Sequence, residues 1–149
     1  MRRFSRIFAW TTLFFVAGAV LFFTKAAALP YKVAWPVLLL SLATFLSRRR
    51  ELLPFGFAFL FSAAGDAVGA RGLFIPQMAF FALAHVAYVC WFLPRARRRL
   101  RAVSLAVTLP LLLFLFAVIV PGAPFPAERI GVAVYGLVIA AMLYSALQY

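Results

Sequence analysis

Acidic residues are nearly absent from this chain of 149 residues: Asp66, Glu51 and Glu128 stand against fifteen Lys or Arg, for a formal net charge of +12. There is one cysteine, Cys90, and one histidine, His85. A single thiol cannot build a disulfide framework or a cysteine-based metal site. One His, one buried Asp and one Cys do not close a metal coordination sphere. No metal and no cofactor is therefore expected, and Cys90, inside an apolar span, reads as a small buried hydrophobe. In a soluble chain so basic a balance would point to nucleic acid. Here the basic residues fall in short runs between apolar spans, which is the pattern that sets membrane orientation, so no nucleic-acid partner is expected.

What the chain does have is apolar surface. Its residues are 67% hydrophobic and its mean hydropathy is +1.06, more than a soluble domain of this size could bury. The solvent is lipid. Six apolar spans can be marked at residues 7–24, 29–47, 52–70, 73–94, 102–121 and 130–149, each near the roughly 20 residues that cross about 30 Å of hydrocarbon. Backbone polar groups must be satisfied internally in lipid, and the alternating pattern of a barrel is missing, so the spans are helices. The chain reads as one integral-membrane domain, residues 1–149, an all-α polytopic helix bundle with about six transmembrane helices. Short connections favour sequential antiparallel hairpins.

Eleven basic residues (Arg2, Arg3, Arg6, Arg48, Arg49, Arg50, Arg95, Arg97, Arg98, Arg99, Arg101) fall on one side of this map and four (Lys25, Lys32, Arg71, Arg129) on the other. That asymmetry predicts a cytoplasmic amino terminus. The first apolar run is too long for a signal-peptide core of about 7–15 residues and reads as an uncleaved helix. Trp10, Trp91 and Tyr144 at one set of span ends, with Tyr31 and Trp35 at the other, fit an aromatic belt. Pro36, Pro54 and Pro76 fall in the first turns of their helices, where a missing N–H matters little. Pro110 lies mid-span and is expected to kink the fifth helix, and the stretch 121–126 reads as a loop.

Asp66 is the one acid inside an otherwise uncharged span. An acid at a helix centre costs about 2.5–3.5 kcal/mol even on the lenient insertion scale, and such residues face a bundle interior or a water-filled cavity. With the third and fourth spans folded as a hairpin centred between Arg71 and Gly72, Asp66 and Gln77 come to the same depth, roughly 8 Å below the turn. Ser62 lies one turn deeper on the Asp66 face and is expected to bond back to its own helix. Gln77, Phe81, His85 and Tyr88 recur at helical spacing on one face of the fourth span. His85 should sit about 12 Å deeper than Asp66, which excludes a Ser62/His85/Asp66 triad, and no G-x-S-x-G elbow exists. Gly65-x-x-x-Gly69 is a small-residue packing pattern. His85 reads equally as an interhelical donor or as a catalytic group.

At these residues the chain resembles the YhhN-type transmembrane lysoplasmalogenase family. Phe61-Ser62-Ala63-Ala64-Gly65-Asp66 resembles that family's S-x-x-G-D on its third helix, and Phe74, Phe81, His85 and Tyr88 resemble its F…F…H-x-x-Y on the fourth. Val134-Tyr135 through Met142 is a weaker match, and the likeness runs over roughly residues 30 to 145. The family's Lys-Pro at the second helix is Trp35-Pro36 here, with Lys32 about a turn earlier, and Gln77 stands where a glycine is expected. Family members usually carry eight helices with a second acid on the seventh. With six spans, the resemblance implies either a C-terminally truncated member or a shorter relative.

The resemblance implies a multi-pass protein of the bacterial inner membrane that hydrolyses the vinyl-ether bond of lysoplasmalogens. It implies Asp66 as the catalytic acid, with Lys32, Ser62, Gln77, Phe81, His85, Tyr88 and Tyr135 lining the site or meeting the phosphate. A carboxyl in apolar surroundings can hold a proton near neutrality and donate it to the alkene carbon. The partners implied are the membrane and a vinyl-ether lysophospholipid, and a homo-oligomer stays open. Two other readings stand beside this one. In a non-catalytic membrane protein, Asp66 and Gln77 would be interhelical glue worth about 1 kcal/mol. In a small proton-coupled transporter Asp66 would be a relay, but the half of each span nearer the arginine-rich side is almost purely apolar.

Overall fold

The computed structural model describes residues 2–23, 33–47 and 49–149. The expectation for Lys32, like the starts of the second span and of the aromatic belt at Tyr31, lies outside them. Among the described residues there are six helices and no strand, as an all-α membrane bundle requires. They are α1 (Arg2–Phe23), α2 (Trp35–Leu46), α3 (Leu53–Gly69), α4 (Phe74–Phe92), α5 (Arg101–Phe114) and α6 (Pro126–Ala146). α5 runs on through a π-helical turn, Leu115–Ile119, and a last turn, Val120–Gly122.

Local chemistry explains where these helices start. Pro36, Pro54 and Pro126 occupy the first or second helical position of α2, α3 and α6, where the lost N–H had no intrahelical partner anyway. The helical start at Pro126 reduces the loop expected over 121–126 to a three-residue link. Short 3₁₀ turns extend α3 at its start and α4 at its end. Among the described residues four stretches are then long and apolar enough to cross a membrane: Arg50–Gly69, Phe74–Arg95, Arg101–Gly122 and Pro126–Ala146. α2, with 12 residues, is about 18 Å long.

The helices stand side by side in the order α1, α2, α3, α4, α6, α5. The hairpin expected between α4 and α5 is not formed, because α6 runs back between them. The α4–α5 connection is what permits this. It is built from two 3₁₀ turns, Leu93–Arg95 and Arg98–Leu100, and it crosses the end of α6, where the Arg97 backbone N–H donates to the Gln148 carbonyl at 2.6 Å. Close approach on both flanks of α6 depends on glycine. A Cβ at Gly131 would meet the Met78 side chain of α4 at 2.7 Å, and one at Gly136 would overlap Leu115 of α5.

Small polar residues fill the remaining contacts. Ser41, Ser104 and Ser145 are fully buried. Ser41 donates across the α2–α3 interface to the Gly56 carbonyl at 2.9 Å, while Ser104 and Ser145 bond back to Leu100 and Met142 of their own helices. Thr108 Oγ1 is the one buried side-chain polar atom without a partner among the described residues. An unpaired buried hydroxyl carries its desolvation penalty uncompensated. Thr108→Val, which keeps the shape, is therefore expected to raise stability by about 1 kcal/mol, read as a higher unfolding temperature in detergent. Pro110 does not interrupt α5, which stays α-helical to Phe114. The irregular winding falls five residues later, in the π turn whose first residue, Leu115, is buried against Gly136.

The turn after α3 closes as a Schellman motif. Leu73 N–H bonds back to Val68 O, Gly72 N–H bonds to Gly69 O, and Gly72 takes φ +73°, the left-handed position this motif reserves for glycine. Nothing lies within 4 Å of a Cβ built at Gly72, so the penalty of a substitution there is purely one of backbone conformation. Gly72→Ala is expected to destabilise by about 1–2 kcal/mol. Gly122→Ala, equally uncrowded but helical, should be neutral in the same thermal-unfolding assay.

Candidate functional site

The site is set by how α3 and α4 mesh. Gly65 lies under the Phe81 ring, with its would-be Cβ 3.3 Å from three ring atoms, and Gly69 lies under the Gln77 amide. The small-residue pattern is therefore a packing surface, as expected. The two contacts share one antiparallel register, and continuing it by a turn puts His85 level with Phe61 and Ser62. Asp66 is thus not level with Gln77, which opposes Gly69. His85 lies only about one and a half turns deeper than Asp66, roughly 8 Å rather than 12 Å. The difference comes from the Schellman turn, which adds residues on the α4 side of the hairpin before pairing begins.

Asp66 sits in the last turn of α3, where its own carbonyl accepts from Ala70 N–H at 2.9 Å. Phe59, Ser62 and Asp66 recur at three and four residues and share a face. No described residue hydrogen-bonds or ion-pairs with the Asp66 carboxylate. Among the described residues neither the Asp66 nor the Gln77 side chain makes a hydrogen bond across the α3–α4 interface. Ser62 makes none of the back-bonds expected of it; among the described residues such bonds are made by Thr44, Ser47, Ser104 and Ser145.

Deeper along the same side, aromatic rings surround the histidine. His85 meets Tyr88 edge-on with ring centroids 6.3 Å apart and meets Tyr135 of α6 edge-on at 5.6 Å. Tyr88 in turn packs against Phe59 and Phe55 of α3, at 6.5 and 5.6 Å. Phe59 thus joins the face of α3 that carries Asp66 to the ring system around His85. His85 Nδ1 lies 2.7 Å from the Phe81 carbonyl of the preceding turn. A carbonyl only accepts, so Nδ1 carries the hydrogen, and in the neutral ring the lone pair is on Nε2. The arrangement offers a carboxyl with no partner among the described residues and, about a turn and a half further in, an imidazole of fixed tautomer flanked by two phenols. Beside Tyr135 an apolar groove of about 220 Å³ runs between α4 and α6, lined in part by Met78, Ala82 and Val134.

Phe81, His85, Tyr88 and Tyr135 are therefore gathered, and Ser62 and Asp66 share their side of the bundle, while Gln77 sits in the first turn of α4 against Gly69. Phe55 and Phe59 were missed in the sequence. Their signal was an aromatic stripe on the Asp66 face, diluted among eighteen phenylalanines. Cys90 is exposed on the outside of α4, in a groove with Leu83 and Val86, and is not the buried hydrophobe expected. Outward and inward positions on this helix are equally apolar, so the sequence could not distinguish them. No set of three His, Cys, Asp or Glu side chains converges among the described residues.

Residues 27–149 match the family model described as the YhhN family. No curated protein and no solved structure matches the chain.

Proposed function

We propose that this chain, which belongs to the YhhN family, is a membrane-embedded hydrolase that cleaves the vinyl-ether bond of lysoplasmalogens with Asp66 as the proton donor. The observation that carries this reading is a carboxyl in a membrane-crossing helix with no hydrogen bond or ion pair to any described residue, on the side lined by His85, Tyr88 and Tyr135. A group kept in lipid at such a penalty, yet bonded to none of the described residues, contributes little to holding helices together. Its depth also suits the bond. Asp66 lies about 6–8 Å inside the Arg71–Gly72 turn, and the vinyl ether is the first unsaturated bond beneath a lysophospholipid's glycerol.

The chemistry is balanced with water alone. Asp66 gives its proton to the alkene carbon remote from oxygen, the C=C pair forms the new C–H bond, and an oxocarbenium ion results. Water adds to the cationic carbon and loses a proton, which returns to the carboxylate. The hemiacetal then collapses to a fatty aldehyde and the glycerophospho-alcohol. His85 Nε2 is the acceptor that would orient the incoming water, and the groove beside Tyr135 gives the aliphatic chain a path.

The test is purified full chain with 1-alkenyl lysophospholipid in D₂O. The expected product is a fatty aldehyde carrying one solvent deuterium at carbon 2, with no turnover of the 1-alkyl analogue. Release of fatty acid from a 1-acyl lysophospholipid at an equal rate, or no aldehyde at all, would overturn the reading.

A further inference from the structure

The proposed reaction uses the end of the bundle near Gly72 and leaves the opposite, arginine-rich end unexplained. Every basic residue on that side is arginine, although lysine serves membrane orientation equally well. Arginine differs in offering a planar, bidentate donor fork that fits phosphate. The α4–α5 connection concentrates five of them: Arg95, Arg97, Arg98, Arg99 and Arg101.

This connection is a fixed structure. The Arg95 guanidinium carbon lies over the Trp91 ring, 3.8 Å from its centroid, and Arg95 donates to the Trp91 carbonyl at 2.9 Å. Arg97 is tied through its backbone to Gln148, itself only 2% exposed. The side chains of Arg97, Arg99 and Arg101 are exposed, and none is ion-paired with a described acid; among the described residues Arg49 pairs with Glu51 at 3.7 Å. Arg101 opens α5, which has no capping side chain and no acid in its first turn, so a cation sits at the positive end of a helix dipole.

A second feature adjoins this cluster. Arg101, Leu105, Thr108 and Leu112 recur at four, three and four residues along one face of α5. The last three line an apolar groove of about 290 Å³ between α5 and α6, closed on the other side by Ala140 and Tyr144. The groove therefore starts one turn from Arg101 and runs into the bilayer, beneath the guanidinium groups. Phosphate above and hydrocarbon below is the chemistry of a phospholipid, and the uncompensated positive charge selects an anionic one.

We infer that Arg97, Arg99 and Arg101 together with the α5–α6 groove form a binding site for an anionic phospholipid, with its phosphate on the arginines and an acyl chain along Leu105, Thr108 and Leu112. The site is separate from Asp66 and does not depend on the proposed hydrolysis.

The test is thermal unfolding and native mass spectrometry of the full chain in detergent, titrated with phosphatidylglycerol, with phosphatidylcholine of the same chains, and with inorganic phosphate. Phosphatidylglycerol is expected to stabilise the protein and to bind about tenfold or more tightly than phosphatidylcholine. Arg97→Gln/Arg99→Gln/Arg101→Gln should erase the difference, and Arg129→Gln, on the other side, should keep it. If the triple variant does not fold, Arg99→Gln alone should narrow the preference several-fold. Equal binding of the two lipids, an undiminished preference in the arginine variants, or the full effect from inorganic phosphate would each overturn the inference.

Discussion

Asp66→Asn is expected to lower aldehyde release by about 10²- to 10⁴-fold, the usual contribution of a general acid, while leaving the unfolding temperature unchanged or slightly higher. The two halves of this expectation come from one fact. The carboxylate has no hydrogen-bond or ion-pair partner among the described residues, so the amide breaks no bond and removes an ionisable group from lipid, where it is expensive. If Asp66 served only as interhelical glue, the opposite pattern would hold: a loss of about 1 kcal/mol and no hydrolysis to lose. Parallel measurement of aldehyde by mass spectrometry and of unfolding in the same detergent separates them. Asparagine variants that unfold early, or that hydrolyse substrate at the parent rate, would remove Asp66 from the chemistry. Asp66→Glu, which keeps the acid on a longer arm, should retain part of the rate.

The largest expected structural effect is at Gly136. Its missing side chain is the reason α6 can lie against the π turn of α5, since a Cβ there would overlap the Leu115 side chain. Leu115 is itself buried and opens the π turn, so it has little room to swing aside. Gly136→Ile should destabilise by about 1–3 kcal/mol or more, the range for overpacking a close-packed contact. Because the clash is with one side chain, Leu115→Ala in the same chain should recover at least half of the loss. A double-mutant cycle on unfolding temperatures reads that coupling. Additive losses would mean that α5 and α6 do not approach each other here as described.

Several features were legible before any coordinates because lipid makes the backbone satisfy itself locally. The helical class, the helix starts at Pro36 and Pro54, and the packing role of Gly65 and Gly69 need only short-range information. The isolation of Asp66 in an apolar span was equally plain, since a single charge stands out against hydrocarbon. The His85–Tyr88 neighbourhood followed from a spacing of three on one helix.

The amino-acid sequence by itself determined that this chain is a multi-pass helical bundle of the YhhN family, with one acid on its third helix and a histidine–tyrosine pair on its fourth. Only the tertiary structure decided that α6 intervenes between α4 and α5, that Tyr135 meets His85, that His85 lies about 8 Å from the level of Asp66, and that Cys90 faces outward. In water a helix shows its buried face by its apolar stripe. In lipid both faces are apolar, and which one meets a neighbour depends on small residues and turn geometry far apart in the chain. The Schellman closure at Gly72 shifts the hairpin register, and the link from Arg97 to Gln148 routes the chain past α6; neither follows from the hydropathy of the spans.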